Sequence, residues 1–213
     1  MKRRTVLVGN APLRSDVGQL VDSADTVVRF NDARGLQGAS GSRIDQLWLI
    51  NHGGQMAEWL ERDELPGRPA VQAAGHIVLP VPMLPGHLCG TAMTAGRPGR
   101  SGTPCAAHDP DRINHLARAR EVLTRAGHRV RTLSVDDYRA TQDALENRCE
   151  GAAEHFPSTG FIALCHTLRH LAANERIELV GFTFQGWRGH SWQAERRCVD
   201  ANIRAGRVML HPT

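Results

Sequence analysis

Thr5-Val6-Leu7-Val8-Gly9-Asn10 is a short apolar, β-branched run that stops at a glycine. Such a run reads as a strand buried on both faces, because no polar residue alternates within it. Ile177-Glu178-Leu179-Val180-Gly181 repeats the design near the other end of the chain. Between them, Thr26-Val27-Val28-Arg29-Phe30, Gln46 to Ile50, His76 to Leu79 and Val130 to Leu133 have strand character. Val208-Met209-Leu210 closes the series. Helical stretches lie between them: Ser15 to Val21, Gln55 to Arg62, Asp111 to Ala126, Val135 to Asn147, Thr159 to Ala173 and His190 to Arg204. Gly127 is placed to stop one helix, and Ser134 and Ser158 to start two others. Strands alternating with helices predict an α/β fold: a Rossmann-like, doubly wound, mostly parallel sheet with helices on both faces. In such sheets ligands sit beyond the carboxyl ends of the strands. The residues after each strand are therefore the ones to search.

Composition sets the outer limits. The chain has 213 residues, 41% hydrophobic and 23% charged, with a net charge of +4. One domain spanning 1–213 is expected, with a Gly- and Pro-rich loop or lid at about 85–110. Hydrophobic content is too high for a disordered chain. No run reaches the ~20 apolar residues of a membrane span. The basic start Met1-Lys2-Arg3-Arg4 is followed by too short an apolar stretch for a signal peptide. Five cysteines, without a CxxC pair, suit neither a disulfide framework nor a zinc ribbon. A cytoplasmic location is the expectation. Lys2 is the only lysine beside 25 arginines. There is no basic block or aromatic RNA-binding pattern, so no nucleic-acid partner is expected.

Several residues after the strands can carry chemistry. Gly9-Asn10 lacks the dinucleotide glycine pattern, yet brings backbone amides and an amide side chain near a phosphate. Its plain alternative is a strand-to-helix turn. Arg29 and Asn31 end the second strand, and either ligand binding or an Asp25–Arg29 structural pair accounts for them. Ser158-Thr159-Gly160 opens a helix whose free N–H groups and dipole suit an anion, with Gly160 permitting close approach. The alternative is a simple cap. His190 starts the last helix, where the dipole favours the neutral base. A surface histidine with a solvated Glu195 is the bland counterpart. His166 and His170 share a helix face, but no third ligand is evident nearby. No metal site is expected.

The order of these elements resembles the family-29 glycosyltransferases, the sialyltransferases. Val8-Gly9-Asn10 and the string Asp22, Ser23, Asp25, Val27, Arg29 and Asn31, continued by Gly41-Ser42-Arg43, are similar to its large motif. Pro157-Ser158-Thr159-Gly160 and Val180-Gly181-Phe182 are similar to the small motif, and His190 with Glu195 to the very small one. The resemblance implies inverting, metal-independent transfer of an acidic sugar from a CMP-sugar to an acceptor hydroxyl, without a cofactor. It implies His190 as general base. Gly9, Asn10, Arg29, Asn31, Ser158, Thr159, Gly160, Gly181 and Phe182 would bind the donor, supported by Glu195 and Trp187. The family's disulfide would fall on Thr5 and Leu171, so that bridge is missing. Its third motif, with a second histidine, is not evident; Trp187, Arg188, His87 or His108 are the candidates to replace it. The alternative is a non-catalytic nucleotide- or anion-binding accessory protein on the same fold.

Overall fold

The computed structural model describes residues 3–83, 113–147 and 155–212. The expected lid at 85–110, with His87 and His108, lies outside the described residues. Seven strands form one sheet: β1 (Arg3–Val8), β2 (Thr26–Phe30), β3 (Gln46–Trp48), β4 (His76–Leu79), β5 (Val130–Thr132), β6 (Glu175–Val180) and β7 (Val208–Leu210). Their order is β5-β4-β3-β2-β1-β6-β7. Every ladder is parallel, so the sheet is wholly rather than mostly parallel. The chain moves outward from β1 to β5, then returns to place β6 on the other side of β1. That reversal is the topological switch point, where a crevice opens beyond the strand ends.

Alternate residues along each strand sort to two faces, as the pleat requires. Leu7, Val28, Phe30, Trp48, Val78, Ile177 and Leu179 pack with Tyr138, Ile162, Leu168 and Val199. These belong to α5 (Val135–Glu146), α6 (Thr159–Arg169) and α7 (Trp192–Arg204). On the other face, Val6, Val8, Val27 and Val180 pack with Val21 of α1 (Gly18–Asp22). Leu47, Leu49, Ile77 and Leu79 meet Met56, Trp59, Val71 and Leu123. Those lie on α2 (Gly54–Glu61), α3 (Pro69–Ala73) and α4 (Leu116–Arg125). No helix among the described residues is long and apolar enough to cross a membrane.

Local chemistry sets the helix ends. Ser158 Oγ accepts from Phe161 N at 3.2 Å and Ser134 Oγ from Asp137 N at 3.0 Å, the two expected caps. Gly127 ends α4 at φ +88°, the conformation glycine adopts without a Cβ clash. The last helix starts at Trp192 rather than His190, because Gly186 to Ser191 run as turn and bend. A 3₁₀ turn over Leu65–Gly67 and the five-residue α3 were not expected from the sequence. Both are too short for periodicity to reveal.

Arg29 has a structural role. It is fully buried, with Nε donating to Arg43 O at 2.9 Å and Nη1 to Ser40 Oγ at 2.8 Å. Its Nη2 donates to the carbonyls of Ser40 and Gly41. Nor does it pair with Asp25, which instead accepts from Arg4 N at 2.7 Å. Asp22 accepts from Ser42 N and Arg43 N, holding the same loop from outside. Asp22 and Arg29 of the motif thus fasten the loop that joins β2 to β3. Arg29→Ala should cost about 2–4 kcal/mol, because buried carbonyls lose their donor. Urea denaturation measures it. An unchanged midpoint, with only anion affinity lost, would return Arg29 to the binding site.

Candidate functional site

The crevice at the switch point is a cleft of about 320 Å³. Its floor is the crossing of two strand ends. Gly9 N donates to Val180 O at 2.7 Å, and Ala11 N to Gly181 O at 3.2 Å. A β-carbon on Gly9 would collide with the Gly181 carbonyl, and Gly181 itself lies at φ +69°. Both positions therefore need glycine for the backbones to touch.

Asn10 spans the cleft edge: its Nδ2 donates to Phe30 O at 3.1 Å, and its Oδ1 accepts from Arg34 N at 2.8 Å. Asn31 adopts φ +50°, and its Oδ1 accepts from Ile50 N at 2.9 Å. Each amide fixes a loop while lining the cleft. Phe182 meets Phe30 edge-on at 6.0 Å and forms an apolar wall. The space above Gly160 belongs to that wall: a Cβ there would lie 2.9 Å from the Phe182 ring. Gly160 is therefore required by packing, whatever it does for a ligand.

Opposite the floor, α6 points its N-terminus into the cleft. Ser158 N donates to Glu195 Oε1 and Ser158 Oγ to Glu195 Oε2, both at 2.7 Å. Phe161 N is used by the cap. Among the described residues, no acceptor is found for the N–H groups of Thr159 and Gly160. Two orphan donors at a helix start, with the dipole behind them, are chemistry that suits an anion. Glu195 is not solvated. It is 2% exposed, and burial pushes its carboxyl up to about 7, against the Ser158 bonds that favour ionisation.

His190 lines the same cleft. Its Nδ1 lies 2.7 Å from Phe156 O. A carbonyl only accepts, so Nδ1 carries the proton and Nε2 of the neutral ring carries the lone pair. Burial, with His155 adding a like charge, holds His190 below its ordinary range. Burial is the largest cause. Trp187 and Trp192 each meet the ring edge-on at 4.9 Å. Trp187 does not line the cleft; it is 47% exposed and stacks on Phe156.

Arg34 lines the cleft and was not singled out in the sequence, and other residues brace the surrounding loops. Arg34 places an exposed guanidinium at the cleft, two residues past the Asn31-Asp32 turn. Its charge beside a strand end was the available signal. Phe156 matters through its backbone, which no side-chain pattern reveals; its N–H also bonds Gly189 O at 2.9 Å. Asn51 is buried and ties Val81 to Asn114. His52 packs its ring 4.6 Å from Phe156. The expectation that His166 and His170 lack a third partner is overturned, since Asp137 stands beside both. Burial and the charge of Arg131 push His166 down to about 4.

No family model matches the chain. A curated relative, the "Urease operon 23 kDa accessory protein" of Rhizobium meliloti (strain 1021), is 30% identical over 215 residues, covering 99% of this chain and 94% of that protein. Among solved structures, a mammalian sialyltransferase is similar with a TM-score of 0.58 at 17% identity, over 99% of this chain and 69% of that one. The same description fits its complex with Gal-beta-1-3GalNAc-ortho-nitrophenol, at a TM-score of 0.57 and 18% identity. The sialyltransferase CstII of Campylobacter jejuni, in complex with the substrate analogue CMP-3FNeuAc, gives 0.54 at 11% identity, over 99% of this chain and 80% of that one. At these identities the likeness is one of fold.

The Glu195 environment sets a pH signature. Unfolded, a glutamic acid releases its proton near pH 4.3; folded, Glu195 holds it to about pH 7. Between those values the folded state binds the extra proton, so stability falls as pH rises and levels off above 7. Glu195→Gln keeps a donor and an acceptor for Ser158 and should remove that slope. Thermal unfolding of both proteins from pH 4.5 to 8 measures it. Identical slopes would contradict the assignment.

Proposed function

The chain belongs to the family of the Rhizobium meliloti urease operon 23 kDa accessory protein, and on that premise we propose that it is an inverting glycosyltransferase taking an acidic sugar from a CMP-sugar. The observation that carries this reading is one placement. A neutral histidine with its Nδ1 proton tied to Phe156 faces the same cleft as the orphan N–H groups at the start of α6. The sialyltransferase-like fold supports it.

The groups divide the work as follows. Thr159 and Gly160 N–H, with the α6 dipole and Arg34, hold the donor phosphate. Asn10 and Asn31 border the ribose side, and Phe30 and Phe182 supply the apolar wall. His190 Nε2 removes the acceptor hydroxyl proton as that oxygen bonds the anomeric carbon. The bond from that carbon to the phosphate oxygen breaks, and the departing CMP carries the electron pair against the α6 N-terminus. Attack opposite the leaving group inverts the centre. No residue in this scheme requires a metal. Cys165 and Cys198 carry thiols rather than a disulfide, which fits a reducing, cytoplasmic setting.

The relative's name favours a second reading, an accessory protein that holds a nucleotide or anion in this cleft without transfer. The two separate cleanly. Millimolar CMP should raise the melting temperature of the protein in excess EDTA under either reading. Only transfer requires CMP release from CMP-sialic acid in the presence of an acceptor, lost about 100-fold or more in His190→Ala with CMP binding retained. CMP binding without turnover supports the accessory reading. No CMP response sinks the transferase reading and any nucleotide-binding accessory role.

A further inference from the structure

We propose that Asp137, His166 and His170 form a binding site for one divalent transition-metal ion of the zinc, cobalt and nickel class. The three side chains come from two helices. His166 and His170 stand one turn apart at the C-terminal end of α6, and Asp137 lies in the first turn of α5. The site is the length of α6, about 16 Å, from the cleft at its N-terminus. It is independent of the proposed transfer.

The geometry already approximates a coordination shell. His170 Nε2 is 3.2 Å from Asp137 Oδ1, and His166 Nδ1 is 3.5 Å from Asp137 Oδ2. Donor atoms around a tetrahedral ion with bonds near 2.0–2.1 Å lie about 3.4 Å apart. All three ligand atoms fall within 4.8 Å of one another, so a small ring rotation closes the remaining edge. His166 Nδ1 is buried and completes no hydrogen bond, leaving a lone pair that an ion would use. Ser134 Oγ donates to Asp137 Oδ2 at 3.0 Å, the kind of outer partner that orients a ligating carboxylate. Two imidazoles and one carboxylate select borderline transition ions over magnesium or calcium. The exposed side at His170 leaves room for water or an exogenous ligand.

Two cations face the cluster. Arg169 Nε is 3.3 Å from Asp137 Oδ1 and occupies the carboxylate when no ion is bound. Its guanidinium is half exposed and swings into solvent at little cost. Arg131 is held aside by Gln46 Oε1 at 3.0 Å and by the Trp48 ring. A metal site therefore predicts that Arg169 competes with the ion, which a plain ion-pair cluster does not.

The test titrates chelator-stripped, full-length protein with Zn²⁺ against a chromophoric chelator, and with Co²⁺ by visible absorption. One equivalent of each should bind. His170→Ala, an exposed substitution that spares the core, should weaken binding about 10-fold or more. Arg169→Ala should strengthen it. Absence of stoichiometric binding, or binding that neither variant changes, overturns the site. EDTA should leave the CMP response of the proposed transferase intact, so the two ideas fail separately.

Discussion

Everything in the cleft depends on two carbonyls and two glycines where β1 and β6 end. Gly9 and Gly181 bring their backbones into contact at the point where the chain reverses its direction of winding. A side chain on Gly9 would push the strand ends apart and close the crevice. Because the contact is backbone to backbone, it fixes the floor independently of any ligand. Asn10 and Phe182 then stand at set positions on either side. The α6 start is held against the same floor by Phe182, whose ring fills the room a Cβ on Gly160 would need.

The charge pattern follows from that frame. Glu195, the one carboxyl lining the cleft among the described residues, sits behind Ser158 with both oxygens occupied. Burial pushes its carboxyl up to about 7, so below that pH it repels an anion less than its position suggests. The cleft then presents N–H groups, amides and Arg34 to an anion, with a neutral His190 at its far side. A carboxyl that trades its proton near neutrality also sets the direction of the Ser158 hydroxyl. Protonated, Glu195 donates to Ser158 Oγ and frees that hydroxyl proton for a ligand; ionised, it takes the proton for itself.

The strands, their parallel sense and the two serine caps were legible because each is written in adjacent residues. Apolar runs without alternation, glycine at a strand end and serine before an apolar stretch are local signals. The contacts that were not legible join distant positions. Arg29 and Asn31 stand two residues apart on one motif, yet one is sealed beneath the 35–43 loop and the other faces the cleft. Nothing within the motif distinguishes them; the loop's return path does. Glu195 meets Ser158 across 37 residues, and Asp137 reaches His170 across 33. Those contacts exist because α5, α6 and α7 share one face of the sheet, which periodicity alone does not reveal. Gly160 was read as leaving room for a ligand; the Phe182 ring, arriving from another strand end, also needs that room.

A crystal structure of the protein soaked with CMP tests the central claim, that the switch-point cleft is a nucleotide site closed by the α6 N-terminus. The phosphate is predicted to lie within hydrogen-bond distance of the Thr159 and Gly160 N–H groups, with His190 Nε2 facing the open side of the cleft beyond it. Nucleotide bound elsewhere on the fold, or a phosphate directed away from α6, would contradict the account.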